Sequence, residues 1–271
     1  MTARPLNEVE HDREHGGKAA QLGAALRAGL PVPPGFAIAH EDVDAIVLDP
    51  AHSSVRHVTE AFAALGGPVA VRSSAVGEDG ASASFAGQHA TVLGVICAQT
   101  LVAAIRKVRE SAHAPSAIAY RKRLGLDGAP KMGVVVQRLI DADKAGVLFT
   151  KNPMTAADER VIEASWGLGE AVVAGLVTPD RYRVARDGRV IERTAGEKDL
   201  AIRMRADGGT HEVEVDADRA AELCLTDAEV QALHQLALRC EGHAKTPIDL
   251  EFAFARDTLY LLQQRAITRT S

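Results

Sequence analysis

The sequence predicts an α+β fold. Strand-like and helix-like runs intermix along the chain, several strands are joined by tight hairpins, and no repeat or low-complexity stretch imposes another architecture. Hairpin connections favour mixed and antiparallel sheets over a doubly wound parallel sheet.

Taken in order, Lys18 to Ala28 is a predicted helix, because Ala19, Leu22, Ala25 and Leu26 recur at helical spacing. Gly29 is its expected C-cap, and Pro31, Pro33 and Pro34 forbid continuation. Phe36 to Ala39 is a short strand, and Ser53 to Leu65 a helix stopped by Gly66-Gly67-Pro68. Val69 to Arg72 is a strand leading into a polar loop, Ser73 to Gly80. Helices are expected over Thr100 to Ala112 and Pro115 to Leu124. Met132 to Leu139, Ala145 to Thr150 and Val161 to Ala164 are apolar strands, the last running into Trp166-Gly167-Leu168-Gly169-Glu170. Arg181 to Ala185 and Val190 to Arg193 flank Asp187-Gly188, a good hairpin turn. Asp227 to Gly242 is a helix with an acidic start and a glycine stop. A final hairpin pairs the run from Ile248 with Leu259 to Ile267 across Arg256-Asp257-Thr258.

The composition excludes several classes. At 271 residues, 46% hydrophobic and 25% charged, the chain is an ordinary globular protein of one large or two smaller domains. A net charge of −5 argues against a broad nucleic-acid surface. No apolar run is long enough to cross a bilayer, and no signal peptide is evident. Cys97, Cys224 and Cys240 form no close-spaced metal pair, and a cytoplasmic location is the natural reading.

The chemistry-bearing residues begin at the C-terminal hairpin. In an extended strand Asp249 and Glu251 share a face, and Gln263 and Arg265 share one on the next strand. Two carboxylates beside an amide and a guanidinium suit a divalent metal and an anionic ligand such as a nucleotide phosphate. A solvated, salt-bridged strand face is the other reading. Gly16-Gly17-Lys18 opens a helix, whose N–H groups and lysine suit a phosphate, although it is no Walker A loop: Asp12 and Ala19 are wrong for one. Arg72-Ser73-Ser74 ends an apolar strand, where an arginine reaches into a cleft or closes an ordinary salt bridge. Ser82 to Thr91 is rich in small residues and can cover phosphates or be a surface loop; His89 within it is a lone histidine. Gln137 can donate and accept at once. Glu163 with the following glycine turn resembles a strand-to-turn binding loop, and Lys198 is either a phosphate contact or a solvated lysine.

In this order the segments GGKAAQLGAALRAGLPVPPGFAI, VAVRSSAVGEDGASASFAGQHAT, VVVQRLIDADKAGVLFTKNP, EASWGLGEAVVAGLVTPDRY and DLEFAFARDTLYLLQQRAIT resemble the N-terminal ATP-binding domain of the pyruvate phosphate dikinase and phosphoenolpyruvate synthase family, which includes rifampin phosphotransferase. They span about Gly16 to Thr268, nearly the whole chain. The resemblance implies one ATP-grasp-type domain over residues 1–271, with a nucleotide held between two lobes and Mg²⁺ on its phosphates. It implies phosphate contacts from Lys18 and Arg72, a phosphate-covering loop with Gly87 and Thr91, and Gln137 on the base or ribose side. Glu251 becomes a Mg²⁺ ligand supported by Asp249, and Gln263 and Arg265 complete the metal and phosphate site. Phe252 replaces the tryptophan of many relatives, and Gly80-Ala81 replaces a usual leucine and proline, implying a loop that closes differently.

The resemblance also implies an incomplete cycle. The phosphohistidine domain and the phosphoenolpyruvate/pyruvate domain of the family are not in this sequence, and none of its ten histidines lies in a Gly- and Thr-rich motif. The expected function is therefore an ATP-binding subunit that passes a pyrophosphoryl group to a histidine on a partner protein's swivelling domain, releases AMP, and serves a small-molecule final acceptor. A self-sufficient ATP-grasp kinase or ligase and a non-catalytic ATP-binding regulatory module are the alternatives. Met1 and the short tail after Thr268 read as a natural or carefully cut boundary, and an excised domain of a longer protein is the other reading.

Overall fold

The computed structural model describes residues 2–77, 90–123 and 129–267. The chain divides into two compact units: residues 1–27, 33–139 and 205–209 form one, and 28–32, 140–204 and 210–271 the other. The expectation of α+β with antiparallel sheets holds, since every pairing between named strands is antiparallel.

The first unit contains β1 (Ala3–Pro5), a 3₁₀ turn (Leu6–Glu8), α1 (Asp12–His15), α2 (Gly17–Arg27), β2 (Gly35–Ile38), α3 (His40–Leu48), α4 (Ser53–Leu65), β3 (Val69–Ala75), β4 (Thr91–Val95), α5 (Ala98–Ser111), α6 (Pro115–Arg123) and β5 (Met132–Arg138). Its sheet has the order β1-β2-β5-β3-β4. One face is apolar: Ile38, Val69, Val71, Val134 and Val136 pack with Val43, Val58, Phe62, Leu101, Ile105 and Val108 of the helices. Burial of this layer, rather than helix propensity alone, holds the short helices in place.

The second unit contains β6 (Lys144–Phe149), β7 (Glu159–Trp166), α7 (Glu170–Val173), β8 (Asp180–Ala185), β9 (Val190–Thr194), β10 (Leu200–Met204), β11 (Thr210–Glu214), α8 (Ala217–Ala221), α9 (Asp227–Ala244), β12 (Ile248–Ala255) and β13 (Thr258–Ala266). Six strands form one antiparallel sheet, β13-β12-β6-β7-β8-β9, while β10 and β11 pair separately. Leu148, Ile162, Tyr182, Leu250 and Phe252 lie at alternate positions and are buried. The same face carries Lys144, whose Nζ meets both carboxylate oxygens of Glu229 on α9. Thr226 caps α9, accepting from the Glu229 N–H while Glu229 accepts from the Thr226 N–H.

Several boundaries differ from the expectations. The strand at Val69 runs on to Ala75, because β5 pairs with it through Met132, so Ser73 and Ser74 are buried strand residues and not a loop. Helix α9 passes through Gly242 to Ala244 and is capped by Lys245, which takes the left-handed conformation, φ 57°. Helix α3 and strands β1, β4, β10 and β11 had no clear sequence signal. Among the described residues no helix is long and apolar enough to cross a membrane.

Candidate functional site

In the first unit the residues of interest gather on the sheet face opposite the helical core. Register places Arg72 opposite Val135 and Thr91, Ala70 opposite Gln137, and Ser74 opposite Gly133. Directly opposed residues share a face, so Arg72, Thr91, Gln137 and Ser74 point the same way. The start of α2 is docked here: the Ser74 hydroxyl accepts from the Ala19 N–H at 3.0 Å. Lys18 lies in the first turn of α2, and its Nζ donates to the Ser73 carbonyl at 2.8 Å. Gly16, at φ 81°, makes this docking possible, because a Cβ there would sit 1.8 Å from the Ser74 carbonyl oxygen. Gly16 thus has a packing role that the sequence alone did not reveal. Gln137 is 2% exposed and donates to the Pro33 carbonyl at 3.3 Å. Thr91, expected in a loop, is the exposed first residue of β4. Gly87 and His89 lie outside the described residues.

In the second unit the C-terminal hairpin forms as expected. Asp249 is opposite Arg265 and Glu251 opposite Gln263. Arg265 Nε donates to Asp249 Oδ2 at 2.7 Å and Oδ1 at 2.8 Å. The register shifts between Glu251 and Phe252, so the bulge falls beside the Glu251/Gln263 pair. Such an irregularity re-aims a side chain relative to its neighbours.

The charged face extends beyond the hairpin. Glu251 is opposite Val147, Val147 is opposite Glu163, and Glu163 is opposite Arg181. One row therefore reads Gln263, Glu251, Val147, Glu163, Arg181 across five adjacent strands of the sheet. Glu163 belongs to mid-strand β7 rather than to a strand-to-turn loop, and Arg181 carried no functional signal in the sequence. Their membership of the row follows from register, which a single sequence does not contain.

The glycine turn after β7 has a structural use. Leu168 N–H donates to the Ile202 carbonyl at 2.9 Å, and a Cβ on Gly167 would lie 2.4 Å from the same oxygen. Lys198 is neither solvated nor a surface phosphate contact. It and Asp180 are both 0% exposed and form an ion pair. Asp180 also accepts from the Gly196 and Cys224 N–H groups. Burial pushes the Cys240 thiol up to about 12 and raises Cys224 likewise, so neither supplies a nucleophile at neutral pH.

Among the described residues no group of three or more His, Cys, Asp or Glu side chains could hold a metal ion. At Glu251 and Gln263 a divalent cation could share its coordination with ligand oxygens. That fits Mg²⁺, which keeps waters and phosphate oxygens around one or two carboxylates. Asp249 has both oxygens engaged by Arg265, which suits it to orienting that guanidinium and supporting Glu251.

A profile of the family described as "Pyruvate phosphate dikinase, AMP/ATP-binding domain" matches residues 50–271. A probable phosphoenolpyruvate synthase of Methanothermobacter thermautotrophicus is 36% identical, over 93% of this chain and 44% of its own length. Rifampicin phosphotransferase of Bacillus subtilis is 38% identical, over 73% of this chain and 23% of its own. The chain thus spans less than half the length of these relatives. Among solved structures, PH1788 from Pyrococcus horikoshii superposes with a TM-score of 0.50 at 12% identity, covering 97% of this chain and 95% of that one.

Proposed function

The chain belongs to the pyruvate phosphate dikinase AMP/ATP-binding domain family, and on that premise we propose that it is an ATP-grasp-type phosphotransferase component. It binds Mg²⁺·ATP and transfers the pyrophosphoryl group to a histidine on a separate partner protein, releasing AMP. The observation that carries this reading is the Glu251/Gln263 pair beside the Asp249–Arg265 ion pair on one sheet face.

Phosphoryl transfer requires positioning and charge neutralisation more than covalent help. Glu251 and the Gln263 carbonyl oxygen supply hard oxygen ligands, and bound Mg²⁺ would neutralise phosphate charge there. Arg265, whose Nε is held by both oxygens of Asp249, brings its guanidinium charge to a phosphate oxygen. Lys18 and Arg72 are the further phosphate contacts, with Thr91 and Gln137 on their face, and Gly87 belongs to the phosphate-covering segment. In the step itself an imidazole nitrogen of the partner attacks the β-phosphorus. The bond from that phosphorus to the α–β bridging oxygen breaks, AMP leaves with the oxygen, and the imidazole loses its N–H proton.

The test incubates the chain with ATP, Mg²⁺ and a histidine-domain protein. AMP and a labelled histidine are expected. ADP with a small acceptor and no protein partner would replace the proposal with a direct kinase or ligase. ATP binding without turnover under any partner would leave a regulatory module. A cytoplasmic site of action accords with this use of ATP.

A further inference from the structure

Glu163 and Arg181 stand apart from every other charged pair on their sheet face. They are directly opposed across β7 and β8. One position further along these strands, ion pairs close: Arg183 reaches Glu159 at 2.9 Å and Glu192 at 2.7 Å. In the hairpin Arg265 reaches Asp249 at 2.7 Å. Opposed unlike charges on adjacent strands normally attract and pair. The side chains of Glu163 and Arg181, both half-buried, make no hydrogen bond or ion pair with any described residue, although the Arg181 charge acts on Glu159 and Glu192. Arg181 Nε is fully buried without a partner, and so is the hydroxyl of Ser165, the next residue along β7 on the same face. A buried donor left unpaired costs on the order of 1–3 kcal/mol.

The row supplies a reason. Glu251 and Glu163 flank Val147, two strand intervals apart, or roughly 10 Å between backbones. Val147 is apolar and competes for neither carboxylate. A cation above Val147 lies within reach of glutamates on both sides, and an anion attached to that cation extends toward Arg181. We propose that Glu163 is a second carboxylate for the divalent cation of a metal–polyphosphate and that Arg181 binds one of its phosphate oxygens. The occupant is a nucleoside polyphosphate with its metal, so this assignment rests on the nucleotide-binding reading above and adds two residues to it.

The test is equilibrium binding of a non-hydrolysable ATP analogue, with and without Mn²⁺, to the whole chain and to Glu163→Gln and Arg181→Gln. Thermal unfolding of each variant is run alongside. Glu163→Gln should weaken binding of the Mn²⁺·nucleotide about tenfold and leave metal-free nucleotide binding unchanged. Arg181→Gln should weaken both. Mn²⁺ paramagnetic resonance of the ternary complex should change in Glu163→Gln. Wild-type affinity for Mn²⁺·nucleotide in both variants overturns the assignment while leaving the nucleotide reading intact. So does a fall in unfolding temperature with no change in metal dependence, which marks a purely structural pair. Failure of the wild-type chain to bind the nucleotide at all overturns the nucleotide reading and this assignment with it.

Discussion

Two aspartate–cation pairs in the same unit, Asp180–Lys198 and Asp249–Arg265, have similar chemistry and opposite placement. The first is sealed, with both side chains 0% exposed. The second keeps 23% of Arg265 and 14% of Asp249 accessible. A sealed pair has exchanged water for fixed partners, so its value lies in mutual compensation, and removing either member strands a charge. A pair left partly accessible can still meet incoming charge. Burial, not residue type, separates the sealed pair from the one proposed to meet a ligand.

The largest test of that distinction is Lys198→Ala. It leaves the Asp180 carboxylate buried without its cation and should cost about 3–5 kcal/mol in denaturant unfolding. A loss below about 1 kcal/mol, the range of an exposed pair, would break the comparison. The counterpart on the open side is Glu251→Ala. Turnover of Mg²⁺·ATP should fall by about 10²–10³-fold, or about 2.7–4 kcal/mol of transition-state stabilisation, with the unfolding midpoint close to wild type. Undiminished turnover would remove Glu251 from the site.

Thr226→Ala calibrates the scale. Loss of the α9 cap should destabilise by about 1 kcal/mol without altering nucleotide affinity. The smallest effect concerns pH. His234 is 4% exposed, with Nδ1 3.0 Å from an Arg160 nitrogen. Burial, then the positive charges of Arg160 and Arg186, hold its pKa below the usual histidine value, while Asp187 and Glu241 oppose them. The unfolded chain therefore takes up this proton first. The contribution to stability is full above about pH 6.5 and declines as pH falls through that value toward the lowered folded pKa. Denaturant unfolding at pH 7.5 and 5.5 should show the decline, and His234→Gln should reduce it.

Much of the fold was legible because burial imposes a period. The alternation over Ile248 to Phe254 and the capped helix beginning at Asp227 were read in place, as was the Ser53–Leu65 helix. The boundaries that shifted did so through long-range pairing: Ser73 and Ser74 read as polar loop residues until β5 and α2 supplied their partners. Half the candidate site was equally local. Asp249 and Glu251, and Gln263 and Arg265, are each two residues apart on a strand, and one tight turn brings the strands together. Glu163 and Arg181 were not legible as neighbours of these residues, since they join the row only through β6 and β8.

The sequence by itself determined the strand and helix periods, the closing hairpin and the family, because these depend on residues near one another or on motifs in linear order. Tertiary structure alone decided that Lys198 is sealed against Asp180, that Gly16 admits the Ser74 backbone, and that Glu163 shares a row with Glu251. Those outcomes depend on sheet register and desolvation, which arise only when segments distant in sequence pack together.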